Sequence, residues 1–124
     1  MNVVDSSGWL EYFADGKNAD FFAAPIEDTA SLVVPTICVA EVFRVVARQR
    51  GEVAAFHAVA MMRQGKVAEL TLDRAIDASL VGASSKLSLA DAIIYASASE
   101  FEALLWTQDA DFKGLANIKY KARR

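Results

Sequence analysis

Short apolar runs that alternate with longer helical patterns restrict this chain more than any other feature. Val3 and Val4, Leu32 to Val34, Val67 to Leu70, Ala103 to Trp106 and Ile118 to Tyr120 read as strands, the last at an edge. Leu32 to Val34 and Ala103 to Trp106 are apolar throughout, as in a parallel strand buried on both faces. Between the runs lie helical stretches: SSGWLEYFADG, capped by Ser6 or Ser7 and closing near Gly16, and Ala19 to Ile26, interrupted at Pro25. TICVAEVFRVVARQRG, capped by Thr36, runs to the Gly51 stop and is followed by EVAAFHAVAMMRQG, by Asp73 to about Ser84, and by a helix opened at Ser88. Crossovers between parallel strands are right-handed, so this order predicts an α/β fold of three layers, a parallel sheet with helices on both faces. With 124 residues and no repeat, linker or charge block, residues 1–124 read as one domain.

Four acids stand at the junctions of that pattern. Asp5 ends the first strand, Glu41 sits between Ala40 and Val42 in the helix after the second, Asp91 opens a later helix, and Asp109 follows the fourth strand. Each has an ordinary explanation alone. Asp5 suits a cap or turn, Glu41 a solvated helix edge, and Asp91 the first turn of a helix, where the macrodipole favours negative charge. Leu89, Ala90, Ala92, Ile93, Ile94 and Ala96 nevertheless surround Asp91 with apolar groups, and a buried carboxylate is costly without a cation. In open parallel sheets ligands collect beyond the carboxyl ends of the strands, which is where Asp5 and Asp109 leave the sheet. Two carboxylates ~4 Å apart repel by roughly 4 kcal/mol at an effective dielectric of ~20, so four at one edge call for compensation.

Composition limits what that cation is. One cysteine, Cys38, and one histidine, His57, cannot make a disulfide or a structural zinc site, so any metal is held by oxygen. Cys38 reads as a small core residue, His57 as a packed or surface side chain, and nothing advertises a nucleophile elbow. Oxygen ligation points to Mg²⁺ or Mn²⁺, the ions of sites that activate water and clamp a phosphate for in-line displacement. The net charge of −3 argues against a generic polyanion binder, but setting the four acids aside leaves +1. Arg44, Arg48 and Arg50 gather towards the end of the Glu41 helix as candidate phosphate contacts, although arginine there also suits the helix dipole. A second basic tip is Arg63, Gln64 and Lys66, and the chain ends on Lys121, Arg123 and Arg124. No apolar run reaches membrane-span length, and Met1 to Asp5 enters a strand with no basic leader, so the expected location is cytoplasmic.

The segments VVDSSGWLEYF, VPTICVAEVFRV, LSLADAIIYASA and LLWTQDADF, in this order and spacing, resemble the PIN-domain ribonucleases, and within them the VapC-type toxins of toxin–antitoxin pairs. The resemblance implies a parallel sheet of about five strands and Mg²⁺-dependent (or Mn²⁺-dependent) endonucleolytic cleavage of RNA. It further implies a homodimer and a cognate VapB-like antitoxin whose tail occupies the active groove. The family's acidic quartet, catalytic and metal-binding, carries over to Asp5, Glu41, Asp91 and Asp109, and its small hydroxyl near the metal to Thr107. Ser6 and Ser7 are polar supports beside the quartet, and Asp111 is set outside it as a support of its own loop.

A PIN-type nuclease or RNA-binding module outside a toxin pair is the alternative. A phospho-accepting receiver domain shares the length and alternation but needs an acidic pair after the first strand and an acid after the third. Here Asp5 is followed by Ser6 and Ser7, and Leu70 by Thr71. An Asp-x-Asp phosphatase fails at Ser7 for the same reason.

Overall fold

The computed structural model describes residues 1–123. Five strands, β1 (Asn2–Val4), β2 (Leu32–Pro35), β3 (Lys66–Ala68), β4 (Leu104–Thr107) and β5 (Ile118–Tyr120), form one sheet in which every pairing is parallel. Six helices accompany them: α1 (Ser6–Phe13), α2 (Ala19–Glu27), α3 (Thr36–Arg50), α4 (Glu52–Met62), α5 (Leu72–Ala83) and α6 (Leu89–Glu100). Single 3₁₀ turns occupy Thr29–Ser31 and Ala110–Phe112.

Strand order is β3-β2-β1-β4-β5, so the chain builds outward from β1 on one side, then crosses over and builds outward on the other. Right-handed crossovers place α1 to α4 on one face and α5 and α6 on the opposite one, giving the three expected layers. Both faces of the inner strands are therefore covered. Val3, Val4, Leu32, Val33, Val34 and Leu105 are all essentially inaccessible, and Trp9, Phe22 and Phe112 fill the space around them. Edge strand β3 has only Ala68 buried. The reversal opens a crevice at the carboxyl ends of β1 and β4, where open α/β sheets bind ligands.

Several element ends differ from expectation, and two of the differences matter for the crevice. Asp5, not Ser6 or Ser7, caps α1: its backbone is extended (φ −70°, ψ 169°) and its carboxylate accepts from Gly8 N. Pro35 takes the extended position before α3, which makes Thr36 the first helical residue instead of its cap. Helix α2 continues through Pro25 to Glu27, and β3 is shifted towards Lys66 because Thr71 caps α5 through the amide of Arg74. Ser88 caps α6 as expected, accepting from Asp91 N. Among the described residues no helix is long and apolar enough to cross a membrane.

Candidate active site

The crevice is built from four chain segments. Asp5 leaves β1 with its backbone N–H donating to Trp106 O on β4 (3.2 Å), which sets the two strand ends side by side. Its carboxylate, 3% exposed, accepts from Ser7 Oγ (2.9 and 3.0 Å), Gly8 N (2.9 Å) and Thr107 Oγ1 (2.7 Å). A Cβ on Gly8 would fall 2.6 Å from the Phe22 ring and 2.7 Å from Val4 Cγ1, so this close turn needs glycine. Burial pushes the Asp5 carboxyl above its usual range. The bonds from Thr107, Gly8 and Ser7 oppose that rise, and the charge of Asp109 adds to it.

Glu41 reaches the same region from α3 and is half-buried, its Oε1 accepting from Ser6 Oγ at 2.6 Å. The two serines expected to assist thus divide the work. Ser6 holds Glu41, while Ser7 holds Asp5.

Thr107 is inaccessible at the end of β4 and connects both halves of the site. Besides donating to Asp5, its Oγ1 accepts from Asp109 N (2.9 Å), and Asp109 Oδ1 in turn accepts from Asp111 N (2.9 Å), which caps the Ala110–Phe112 turn. Phe112, fully buried, anchors that turn in the core. Gln108 Nε2 donates to Ser7 O (3.4 Å) and its Oε1 accepts from Asn18 Nδ2 (3.0 Å), a buried pair that ties the β4 end to the α1–α2 loop.

Asp91 stands in the first turn of α6, half-buried. Its pKa is raised to about 6, first by desolvation, then by the charges of Asp109, Asp5 and, more weakly, Glu41. The four acids expected from the sequence therefore share one electrostatic field. The tightest group is slightly different: Asp91, Asp109 and Asp111 each present a carboxylate oxygen within 4.8 Å of the others. Asp111, exposed and left outside the quartet on sequence, is brought beside the other two by a 3₁₀ turn that starts one residue past Asp109. Asp-x-Asp spacing at a strand end was the available signal.

Among the described residues no lysine or arginine pairs with this cluster, and the one ion pair is Arg74 with Glu100, on α5 and α6. Oxygen ligands, partial burial and uncompensated charge fit a hard divalent cation. Asp91, Asp109 and Asp111 are the side chains that can hold it together, with Asp5 and Glu41 adjoining.

The remaining candidates lie farther out. Arg44 and Arg48 are exposed on α3, three and seven residues beyond Glu41 and so on its stripe of the helix, whereas Arg50 faces the opposite side. Arg50 lines a cavity of about 580 Å³ between α1, α3 and α4, together with Leu10, Val46, His57 and Met61. A second, apolar cavity of about 680 Å³ is lined by Val39, Phe43, Phe56 and Val59. Cys38 is fully buried, and burial pushes its thiol far up, which leaves it inert. Arg124 lies outside the described residues.

Among solved structures, a toxin–antitoxin complex from Klebsiella pneumoniae superposes with a TM-score of 0.81 at 20% identity, covering 96% of each chain. VapC20 of Mycobacterium tuberculosis, described as a sarcin–ricin loop cleaving toxin, gives 0.78 at 18% identity over 94% of this chain and 96% of its own. The DNA-bound VapBC of Salmonella typhimurium gives 0.75 at 11% identity, covering 100% and 98%. At these identities the likeness is one of fold. No curated protein matches the chain by sequence. The profile of the PIN domain matches residues 3–118, a span that runs from β1 to the start of β5 and contains every acid of the crevice, and the chain belongs to the PIN domain family.

Proposed function

We propose that this protein is a divalent-metal-dependent endoribonuclease, using Mg²⁺ or Mn²⁺, and acts as the toxin of a toxin–antitoxin pair. The observation that carries the reading is the uncompensated acid cluster at the sheet reversal, with Asp91, Asp109 and Asp111 oxygens within 4.8 Å of one another. A divalent cation bound there supplies charge neutralisation and the activation of water towards a phosphodiester. The protein's own part is to fix the acids. Ser7, Gly8 and Thr107 hold Asp5 in one orientation, Ser6 holds Glu41, and the Thr107 hydroxyl fixes the backbone that presents Asp109. Side chains so restrained keep ligand positions preorganised, which lowers the cost of gathering like charges.

Toxin function is supported by the fold it shares with toxin–antitoxin complexes. Protein partners, a VapB-like antitoxin and a second copy in a homodimer, are supported by exposed apolar surface. Leu72, Ile76 and Leu80, spaced four apart on α5, are 77%, 53% and 65% exposed, and Val53 and Phe56 on α4 are 72% and 61% exposed.

Induced expression without an antitoxin, followed by sequencing of RNA 5′ ends, tests the reading. Growth arrest with new ends at discrete sites, absent for Asp109→Asn, is the expected result. Cleavage without growth arrest would place the protein outside a toxin pair, and no cleavage with purified protein in Mg²⁺ or Mn²⁺ would refute the nuclease.

A further inference from the structure

Charge is distributed very unevenly along this chain. The last thirteen residues, from Phe112 on, hold five basic side chains and no acid, whereas the residues before them hold eight basic and sixteen acidic ones. The basic segment is also bonded directly to the crevice. Lys121 N donates to Thr107 O (3.0 Å), and Ala122 O accepts from Asn18 Nδ2 (3.0 Å). The residue that anchors Asp5 therefore anchors the tail as well.

On the surface this segment presents lysines seated over aromatic rings. Lys119 pairs in register with Trp106, its Nζ 5.2 Å from the ring, and Lys121 Nζ lies 5.8 Å from Phe21. Phe21 and Trp106 are themselves 5.0 Å apart, which makes one continuous strip. Lys113 sits 5.3 Å from Tyr120 nearby. All three lysines are exposed, and none belongs to an ion pair among the described residues. A ring beneath a lysine restrains its stem and leaves its outer donors free, so less side-chain entropy is lost when a phosphate binds.

We propose that this lysine–aromatic strip along β5 is the track on which single-stranded RNA approaches the acid cluster. The inference rests on the RNA-nuclease reading and adds the path to it. The acids themselves repel a polyanion, so a substrate needs positive charge beside them, and one contiguous basic run is bonded to Thr107. Single-stranded nucleic acid is favoured because a short row of lysines can follow a flexible phosphate backbone without the fixed groove geometry of a duplex. Arg44 and Arg48, on the Glu41 stripe of α3, are the competing surface.

Binding of a short labelled oligouridylate, measured by anisotropy in chelator between about 50 and 200 mM salt, tests the path independently of cleavage. Lys119→Gln with Lys121→Gln should weaken binding several-fold and flatten the slope of log affinity against log salt by about 0.7 per lysine. Lys119→Arg with Lys121→Arg should restore both, with melting curves confirming that each variant is folded. An unchanged slope in the glutamine variant, with loss instead in Arg44→Gln/Arg48→Gln, overturns the track and leaves the RNA reading standing. A wild type that ignores RNA but binds oligoglutamate through the same lysines overturns the RNA reading and the track together.

Discussion

The hydroxyl of Thr107 donates to Asp5 Oδ2 at 2.7 Å across the point where the sheet reverses, although the two residues are 102 apart in sequence. Both groups are buried, so neither has water as a ready substitute. Thr107→Val removes this bond and the acceptor for Asp109 N. It should cost about 1–3 kcal/mol of stability, the range for a buried polar group left short of a partner. Thr107→Ser should retain most of both stability and cleavage. Urea unfolding of the two variants is the check, and a valine variant as stable and active as wild type would remove Thr107 from its linking role.

Single replacements of Asp5, Glu41, Asp91 and Asp109 by Asn or Gln should each lower metal-dependent RNA cleavage by roughly a hundredfold or more, as expected where charge stabilisation dominates. Asp111→Asn should weaken Mn²⁺ binding as well, because its oxygen lies within 4.8 Å of those of Asp91 and Asp109. Asp15→Asn, at an exposed turn position with φ 52°, should change neither. Full activity in Asp91→Asn would dissolve the quartet.

Asp91 also makes stability depend on pH in the absence of metal. Its folded-state pKa, about 6, lies above the ordinary 3.8, so its contribution is fully present below that ordinary value and is lost as pH rises through about 6. In chelator, wild type should therefore fall behind Asp91→Asn between about pH 4 and 6 and melt a few degrees (about 2–5 °C) lower at neutral pH. Mn²⁺ should reverse that order by raising the wild type much more than the variant. Melting curves across pH with chelator and with Mn²⁺ decide it; indifference of the wild type to Mn²⁺ would count against a metal site.

Gly8→Ala is expected to be more harmful than its size suggests. The added methyl would meet the Phe22 ring and Val4 at 2.6–2.7 Å, both fully buried, so the start of α1 must move and carry Gly8 N away from Asp5. Overpacking of this kind costs about 1–3 kcal/mol. Denaturant unfolding measures the loss, and a neutral result would mean that α1 has room to shift.

Much of this was legible in the chain because it was written locally. Apolar runs, helix stops and the Ser88 cap placed nearly every element within a residue or two. The acids were legible as exceptions to apolar surroundings. What local pattern could not carry was order in the sheet. Nothing in Val3 or Leu105 states that they are neighbours, so the reversal between β1 and β4, and hence the Asp5–Thr107 bond, came only with the structure. The closeness of Asp111 to Asp91 had no local signature for a related reason: it depends on a 3₁₀ turn anchored by Phe112 in a core assembled from distant segments. The Asn18–Gln108 pair, 90 residues apart and both buried, likewise had no local signature.

The position of β1 between β2 and β4 also sets a timetable. A chain synthesised from its amino end makes the middle strand, β1, about a hundred residues before its neighbour β4. Until β4 is made, Asp5 lacks the Thr107 donor, Asp109 and Asp111 do not exist, and the crevice has one wall. Pairing across so long a separation is slow, because the closure entropy must be met before the contacts repay it. A chain made only as far as β3 is thus without its acid cluster, which assembles when β4 pairs with β1.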